Sequence, residues 1–557
     1  MPETPQVAPV TVSRTEDVFP VLTPDLVARL ASHGRTRRAE AGEILIQPGQ
    51  AYTSFYVVKS GAIEVVRTAG AAAEATIAIH NAGQFTGEVN LIAGRRTLFL
   101  LRVRESGELI ELTRDQVIAL IQTDAELSEI LMKAFILRRV ELLTAGLSDV
   151  VVIGSVHSAA TLRVKEFLTR NGYPYAYLDL DRDADVQTLL DRFQVAPGDV
   201  PVLICRGQMV LRNPSNEEIA ACLGFNDAID RTHVRDVVIV GGGPAGLAAA
   251  VYAASEGLDV LVVESNAPGG QAGASSRIEN YLGFPTGITG QELAGRAYTQ
   301  AQKFGAQVMI AKTAAELTCE RKPYALRIDS ETLVPARAVI IASGAEYRRP
   351  AIENLTAFEN VGVYFGATFM EAQLCGGEDA VVIGGGNSAG QAAVFLAQSC
   401  RRVFVLVRSD GLARSMSRYL IRRIEEHPRI ELRTGTEVIS VEGGRHVDRL
   451  TWRNPDGSLE LRDIRHLFVM TGAMPNSGWL YGCLTLDKGF IKTGPDLTRD
   501  DLVAAKWPLP RAPYLLETSL PGVFAVGDVR AGSVKRVASA VGEGSIAVSF
   551  VHRVLAE

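Results

Sequence analysis

Apolar and polar positions alternate in short runs over the first hundred residues: EILIQPGQ, FYVVKSGAIEVV, ATIAIHNAGQF, TLFLLRV and ELIEL. A period of two, broken by glycine at this spacing, predicts short strands of a small β-barrel or jelly roll between Leu26 and about Glu111. The period then lengthens. Between Thr113 and Gly146, Leu127, Ile130, Leu131 and Ala134 form one helical stripe, and Met132, Phe135 and Ile136 a second, which predicts a helix with two packing partners. Residues 149–225 alternate between the two patterns. DVVVIGS and YAYLDLD are strands, AATLRVKEFLTRNG and ADVQTLLDRFQV helices, PVLICRGQMVL a hairpin and NEEIAACLGF a last helix. NDAIDRTHVR reads as a linker. From residue 235 onward two apolar strands each run into a glycine-rich turn and an alanine-rich helix, the pattern of parallel α/β domains. Residues 1–22, rich in Pro, Thr and Val without period, read as a mobile leader.

Composition narrows the classes. The chain has 557 residues, 47% hydrophobic and 22% charged, which is a globular composition sufficient for three or four domains. The net charge of −6 and the absence of a Lys/Arg run disfavour a nucleic-acid partner. No run of about 20 apolar residues predicts a membrane span. The first residues lack the basic start and apolar segment of a secretory signal, so a cytoplasmic location is expected. Six cysteines without a C-x-x-C predict neither a disulfide scaffold nor a metal site.

The glycine turns carry the chemistry. In DVVIVGGGPAGLAAAVYAASEGLDVLVVE, Gly241 permits a tight turn, Gly243 lets a pyrophosphate approach the backbone, and Gly246 lets helix and strand pack closely. The helix N-terminus faces the anion, and Glu264 at the end of the next strand is placed for a ribose hydroxyl. AVVIGGGNSAGQAAVFLAQSCRRVFVLVR repeats the pattern with Gly384, Gly386, Asn387, Ser388 and Ala389 at the turn. Its second strand ends at Arg408 instead of an acid. Arg408 and Arg414 would attract a 2′-phosphate, favouring NADPH over NADH. Two turns imply two dinucleotides.

Residues 235–557 resemble the low-molecular-weight thioredoxin reductases. The resemblance rests on PGGQ (Pro268 to Gln271), IENYLGFP (Ile278 to Pro285), GGGNSA, Gly344 in IIASGA, Gly472 in FVMTGAMPN, and LPGVFAVGDVRAG with Gly527-Asp528, all in family order. It implies a homodimeric flavoenzyme whose FAD domain is split by an inserted NADPH domain. Gly241, Gly243, Gly246, Glu264, Gly270, Gln271, Asn280, Gly344, Gly527, Asp528, Val537 and Ala538 would hold FAD. The family's redox Cys-x-x-Cys is missing: its positions carry Gly366 and Phe369, with Met370 after them, so the family's dithiol chemistry is not expected there. Lys535-Arg536-Val537-Ala538 also departs from the family's Arg-Gln-Ala, and the resemblance implies that Arg536 places an extra cation, or an altered contact, near the flavin. Cys375 is alone in sequence and reads as a small core residue.

Residues 149–225 resemble a glutaredoxin- or thioredoxin-like unit, again without its thiols. Ser155 and Ser158 occupy the active-motif positions, and Val200-Pro201 falls where that fold keeps a cis-proline. Cys205 and Cys222 read as buried, with a dithiol assembled from distant cysteines as the alternative. AGEILIQPGQAYTSFYVVKSGAIEVV resembles the cyclic-nucleotide-binding domain, with Gly42, Gly49 and Gly61 at its turns. Its ligand cassette would be Phe85 to Thr97: Gly87, Glu88 on the ribose, Arg96 and Thr97 on the phosphate, with Arg95 an alternative to Arg96. Another small anion or a purely structural role are the competing readings.

The expected architecture is therefore multi-domain. An N-terminal β-barrel or jelly roll with helices (1–146) precedes a thioredoxin-like α/β unit (147–230). Two Rossmann-like domains follow: the FAD domain in two halves (231–350 and 477–557) around an NADPH domain (351–476). The expected function is an NADPH-dependent FAD oxidoreductase with an unidentified acceptor, regulated by a small effector at the N-terminal domain. Thioredoxin-disulfide reduction through cysteines not yet placed, and a redox or ligand sensor with incidental turnover, are the alternatives.

Overall fold

The alternating N-terminal segments build two antiparallel sheets over one apolar core. The computed structural model describes residues 15–67, 74–144, 150–155, 158–180, 199–205, 209–320, 322–329, 332–413, 416–444, 446–480 and 482–557. One sheet orders Arg35–Ala39, Gly107–Thr113 and Ser54–Val58. The other orders Ile44–Ile46, Leu100–Glu105, Ala62–Arg67 and Ala75–His80. Phe55, Phe85 and Phe135 meet at the centre, with ring centroids 5.8–6.3 Å apart.

Two expectations change here. The leader is anchored from residue 15 onward: Thr15–Val18 is helical, Val18 and Leu22 are buried, and the Phe19 ring lies 5.8 Å from that of His80. Residues 1–14 lie outside the described residues. The helix Ala125–Thr144 does bury Leu127, Leu131, Ala134 and Phe135, but its second stripe does not face a second apolar partner. Phe135 turns into the same core as Ala134, and Ile136 is exposed. Further along, Leu142 joins the apolar cluster of the middle unit, and buried polar contacts accompany it. Arg138 donates to the Gly87 and Val18 carbonyls, and Arg139 to that of Gly172. Long cationic side chains thus occupy a face that apolar periodicity alone cannot describe.

In the middle unit the sheet order is Met209–Arg212, Val202–Cys205, Val150–Gly154, Ala176–Asp179. Val150–Gly154 is parallel to Ala176–Asp179 and antiparallel to Val202–Cys205. The helices Ala159–Arg170 and Asn216–Leu223 complete the described part, and the Val200–Pro201 peptide is cis. The helix expected over ADVQTLLDRFQV lies outside the described residues.

The C-terminal region holds two parallel sheets. The first orders Gln307–Ile310, Val260–Glu264, Arg235–Val240 and Thr332–Ile341, which also pairs with Val523–Ala525; an antiparallel flap, Tyr324–Ile328 and Ala314–Thr318, extends it. The second orders Val363–Tyr364, His466–Val469, Asp379–Ile383, Arg402–Leu406 and Ile430–Arg433. The chain passes between the two domains along a two-stranded ribbon, Ala345–Tyr347 with Ala473–Pro475. The strand from near the C-terminus sits beside a strand from the first half, so the first domain is split in sequence.

One apolar cluster runs through three units, from Leu98 and Phe99 through Phe167 and Phe225 to Val237 and Ile239. Arg95 crosses the same seam. Its guanidinium donates to the Asn171 carbonyl at 3.2 Å and the Tyr298 hydroxyl at 3.3 Å, and lies 4.4 Å from the centre of the Phe225 ring. The supposed linker is fastened too, because the Asn226 amide exchanges hydrogen bonds with the Ile310 backbone.

His80 supplies a pH test. Burial, aided by Arg138, pushes its pKa down from 6.5 to about 3. Below about pH 6.5 the unfolded chain binds a proton that the folded chain refuses, so stability falls as pH falls. The loss is up to about 1.4 kcal/mol per pH unit. The expected outcome is a slope of N-terminal stability against pH between 6.5 and 4, seen by chemical denaturation, that is flattened in His80→Gln. An unchanged slope in that variant would show that His80 is not its source.

Candidate functional site

The first glycine turn closes through backbone contacts that tolerate no side chain. Gly241 has φ +105°, and a Cβ there would overlap the Ala342 carbonyl; a Cβ on Gly246 would overlap the Gly241 carbonyl oxygen. Gly243 differs. It is the N-cap of the helix Pro244–Ser255, and a Cβ on it would meet only the Gly270 Cα, at 3.9 Å. An open backbone surface at a helix N-terminus is the setting a pyrophosphate needs. Glu264 accepts from Gly242 N at 2.7 Å, Asn266 N at 2.8 Å and Ala267 N at 3.2 Å. Burial pushes its carboxyl pKa up, and those amides oppose the shift. Its carboxylate therefore shapes the turn and the following loop.

The other expected FAD residues surround this turn. Gln271 donates to the Ala345 carbonyl at the start of the inter-domain ribbon. Gly344, with φ +68° and open space at its Cβ position, makes the turn into that ribbon. Ser343 and Asn476 clamp the two crossings by reciprocal bonds of 2.7 and 3.0 Å. Gly527 N donates to Glu543, and the Asp528 carboxyl is raised by burial. Val537 and Ala538 open the final helix, which packs so closely on Pro244–Ser255 that a Cβ at Gly544 would overlap the Ala245 carbonyl. Asn280 is exposed. Lys535, not Arg536, approaches this group: it donates to the Asp528 carbonyl, while Arg536 is the N-cap of the final helix.

The second turn repeats the geometry. Gly384 has φ +139° against the Met470 carbonyl, Gly386 is an open N-cap, and Ala389 is fully buried. Asn387 accepts from Ser417 N at 2.7 Å. Tyr347 on the inter-domain ribbon lies near Ser388, and burial pushes its pKa up. Arg408 is exposed beyond the end of Arg402–Leu406, without an ion-pair partner among the described residues. Arg414 lies outside the described residues.

Gly366 and Phe369, the residues expected at the positions of a redox pair, lie before the second parallel sheet's central strand. Gly366 has open space beside it, and Phe369 begins the helix Phe369–Leu374. Glu371 caps that helix through Thr368, and burial raises its pKa. Cys375 is not alone in space: it is fully buried against Cys400. Cys319 and Cys483 form a disulfide in the FAD domain, and Cys222 Sγ lies 2.8 Å from Cys205 Sγ. No sequence spacing signalled these three pairs, because each joins separate elements.

The N-terminal cassette is also assembled. Glu88 is the N-cap of the helix Val89–Ala93 and lies 3.7 Å from Arg139. Burial raises the Glu88 pKa, opposed chiefly by Arg139. Gly87 is held through its carbonyl by Arg138, and Thr97 is buried and donates to the Gln47 carbonyl. Arg96 is exposed and its stem packs over Gly224, whereas Arg95 is committed to the seam.

Residues 235–544, more than half of the chain, match the pyridine nucleotide-disulphide oxidoreductase family. The chain belongs to that family. Residues 36–124 match the cyclic nucleotide-binding domain. Thioredoxin reductase of Mycolicibacterium smegmatis is 34% identical over 331 residues, covering 58% of this chain and 97% of that protein. Thioredoxin reductase of Chlamydia trachomatis is 31% identical over 336 residues, covering 58% and 99%. The crystal structure of Lactococcus lactis thioredoxin reductase in its FR conformation aligns with a TM-score of 0.51 at 25% identity, over 58% of this chain and 99% of that one. This oxidoreductase is accordingly an FAD-dependent, thioredoxin reductase-like enzyme whose cofactors are FAD and NADPH. Among the described residues no helix is long and apolar enough to cross a membrane, and no cluster of ligands could hold a metal ion.

The cradle at Gly243 gives a direct check. Gly243→Arg leaves the turn's backbone angles accessible but fills the pyrophosphate space. The expected product is folded, colourless protein by visible absorbance and circular dichroism. Retention of stoichiometric FAD would refute the assignment.

Proposed function

We propose that this oxidoreductase passes electrons from NADPH to an acceptor other than thioredoxin, under the control of a small ligand at the N-terminal domain. The single observation that carries the acceptor reading is Gly366 and Phe369 at the family's redox positions, since neither residue can form a thiolate or a mixed disulfide. FAD, when bound, supplies the two-electron chemistry. The chain's residues position and polarise. Gly243 and Gly386 expose helix N-termini to the two pyrophosphates, Glu264 orients the first ribose, and Arg408 supplies charge for a 2′-phosphate. The Tyr347–Ser388 contact and the Ser343–Asn476 clamp fix the approach of one domain to the other. A homodimer in the cytoplasm, with the middle unit a thioredoxin-like module that carries Ser155 and Ser158 at its active-motif positions, completes the proposal.

A second reading has its own observation. Cys375 follows the helix that begins at Phe369, and Cys400 touches it. Thioredoxin-disulfide reduction through this pair would require opening a core in which both side chains are fully buried. The acceptor test is NADPH oxidation by the purified holoenzyme with oxygen, quinone, ferredoxin or thioredoxin. Turnover with an acceptor other than thioredoxin is expected. Robust thioredoxin-dependent reduction of a dye disulfide, lost in Cys375→Ala, would replace the first reading by the second.

The effector reading rests on Arg139. Glu88, the ribose acceptor in this reading, is engaged by Arg139, which also donates to Gly172. A nucleotide that takes Glu88 must displace Arg139 and loosen its hold on the middle unit. Asn171, next to Gly172, donates to the Asn266 carbonyl in the loop after Glu264. Ligand and flavin site are thus joined by contiguous contacts, which gives ligand binding a differential energy to act on. Typical coupling of about 1–3 kcal/mol predicts a change of about five-fold or more in NADPH oxidation with saturating cyclic AMP or cyclic GMP. Calorimetry should show binding that weakens in Glu88→Gln. Binding without a rate change would leave a sensor, and no binding would leave a structural module.

A further inference from the structure

The middle unit lacks sulfur at Ser155 and Ser158, yet it carries a cysteine pair at the other end of its sheet. Cys205 closes the strand Val202–Cys205 and stands opposite Val150, at the start of the neighbouring strand. The serines follow the end of that neighbouring strand, with Ser155 about 16 Å from Val150 at the rise of a β-strand. Cys222 lies in the helix Asn216–Leu223. Its Sγ is 2.8 Å from Cys205 Sγ, closer than an ordinary contact between thiols, and 3.3 Å from Met209 Sδ. Cys205 is buried and Cys222 is half-buried, so Cys222 is the more accessible of the two.

The other two pairs lack this combination. Cys375 and Cys400 are both sealed in the NADPH-domain core, and Cys319 and Cys483 are already bonded. An accessible attacking sulfur with a resolving sulfur beside it is what reversible thiol oxidation requires.

We propose that Cys205 and Cys222 form a two-electron redox site that reacts with low-molecular-weight disulfides. The Cys222 thiolate attacks a disulfide RSSR, a mixed disulfide forms, and one RS⁻ leaves and takes up a proton. The Cys205 thiolate then attacks the Cys222 sulfur, the intramolecular disulfide forms, and the second RS⁻ leaves. Two protein thiols are oxidised and one RSSR is reduced to two RSH; a small dithiol reverses the reaction. The bond pins the end of the helix Asn216–Leu223 to the sheet. Gly224 and Phe225 follow directly, and they seat Arg96 and Arg95 of the N-terminal domain. The site therefore lies beside the contact between the effector domain and the rest of the enzyme.

The test is independent of turnover. Full-length holoprotein is equilibrated anaerobically in glutathione buffers of graded oxidised-to-reduced ratio, quenched in acid, alkylated and mapped by mass spectrometry. The expected result is joint loss of alkylation at Cys205 and Cys222 with a single midpoint, and a cross-linked peptide pair. In Cys205→Ser, glutathione should accumulate as a mixed disulfide on Cys222, at least five-fold above wild type. Cys222→Ala, at a half-buried position, should leave Cys205 alkylated after unfolding in every buffer, with circular dichroism confirming the fold. Both cysteines fully alkylated in wild type at the most oxidising ratio, or equal mixed disulfide in wild type and Cys205→Ser, would overturn the proposal.

Discussion

A buried guanidinium sets the arrangement of the whole chain. Arginine stays charged at any ordinary pH, and burying its charge is costly unless each donor finds an acceptor and the plane finds a partner. Arg95 finds acceptors for both terminal nitrogens, and ring faces for its plane, only with all three units in place, while its buried Nε has no hydrogen-bond partner among the described residues. Its own strand-and-helix cassette delivers it, the middle unit supplies the Asn171 carbonyl and the Phe225 ring, and the FAD domain supplies Tyr298. Moving any one unit strands a charge or empties a ring face. The apolar cluster around it makes the same demand in a less directional way.

The middle unit is the keystone of that arrangement. Besides receiving Arg95 and Arg139, it rests on the loop that follows Glu264. Arg170 donates to the Gly270 carbonyl at 2.7 Å, and Asn216 bonds Asn266 at 3.1 Å. Gly270 stands close against Gly243, where a Cβ on Gly270 would come within 3.1 Å of the Gly243 Cα. A unit that holds this loop from outside acts on the shape of the FAD cradle without touching the ring. Its serine positions then cost the enzyme nothing structurally: Ser158 caps the helix Ala159–Arg170 by accepting from Thr161 N, a task a thiol performs poorly.

The glycine turns were legible because sterics at Gly241, Gly246 and Gly384 admit no other residue, and because strand, turn and helix are contiguous in sequence. The strands of the first hundred residues were legible for the same local reason. What sequence hid was everything that joins distant segments. The choice between Arg95 and Arg96 turns on Asn171, Phe225 and Tyr298, none of which is near either in the chain. The polar face of Ala125–Thr144 is invisible to apolar periodicity, since Arg138 and Arg139 look like solvated cations until Gly87, Glu88 and Gly172 are brought to them. Residues 15–22 looked mobile because Val18 and Leu22 have no periodic neighbours; their partners come from the barrel.

Sulfur illustrates the same limit with a chemical consequence. Each cysteine is isolated in sequence, yet each stands beside another in the fold, one pair per domain of the enzyme's middle and C-terminal regions. Their environments divide the possible roles. A bonded pair staples the flap of the FAD domain to the chain returning from the NADPH domain. A sealed pair fills the NADPH-domain core, where neither side chain is accessible to a solute disulfide. Only the pair in the middle unit joins contact to access. Thiol traffic with small solutes is therefore directed away from the flavin, to the unit that holds both the cassette arginines and the loop beside the pyrophosphate. An enzyme built this way separates electron transfer at the flavin from redox sensing at its keystone, and the two need share no sulfur.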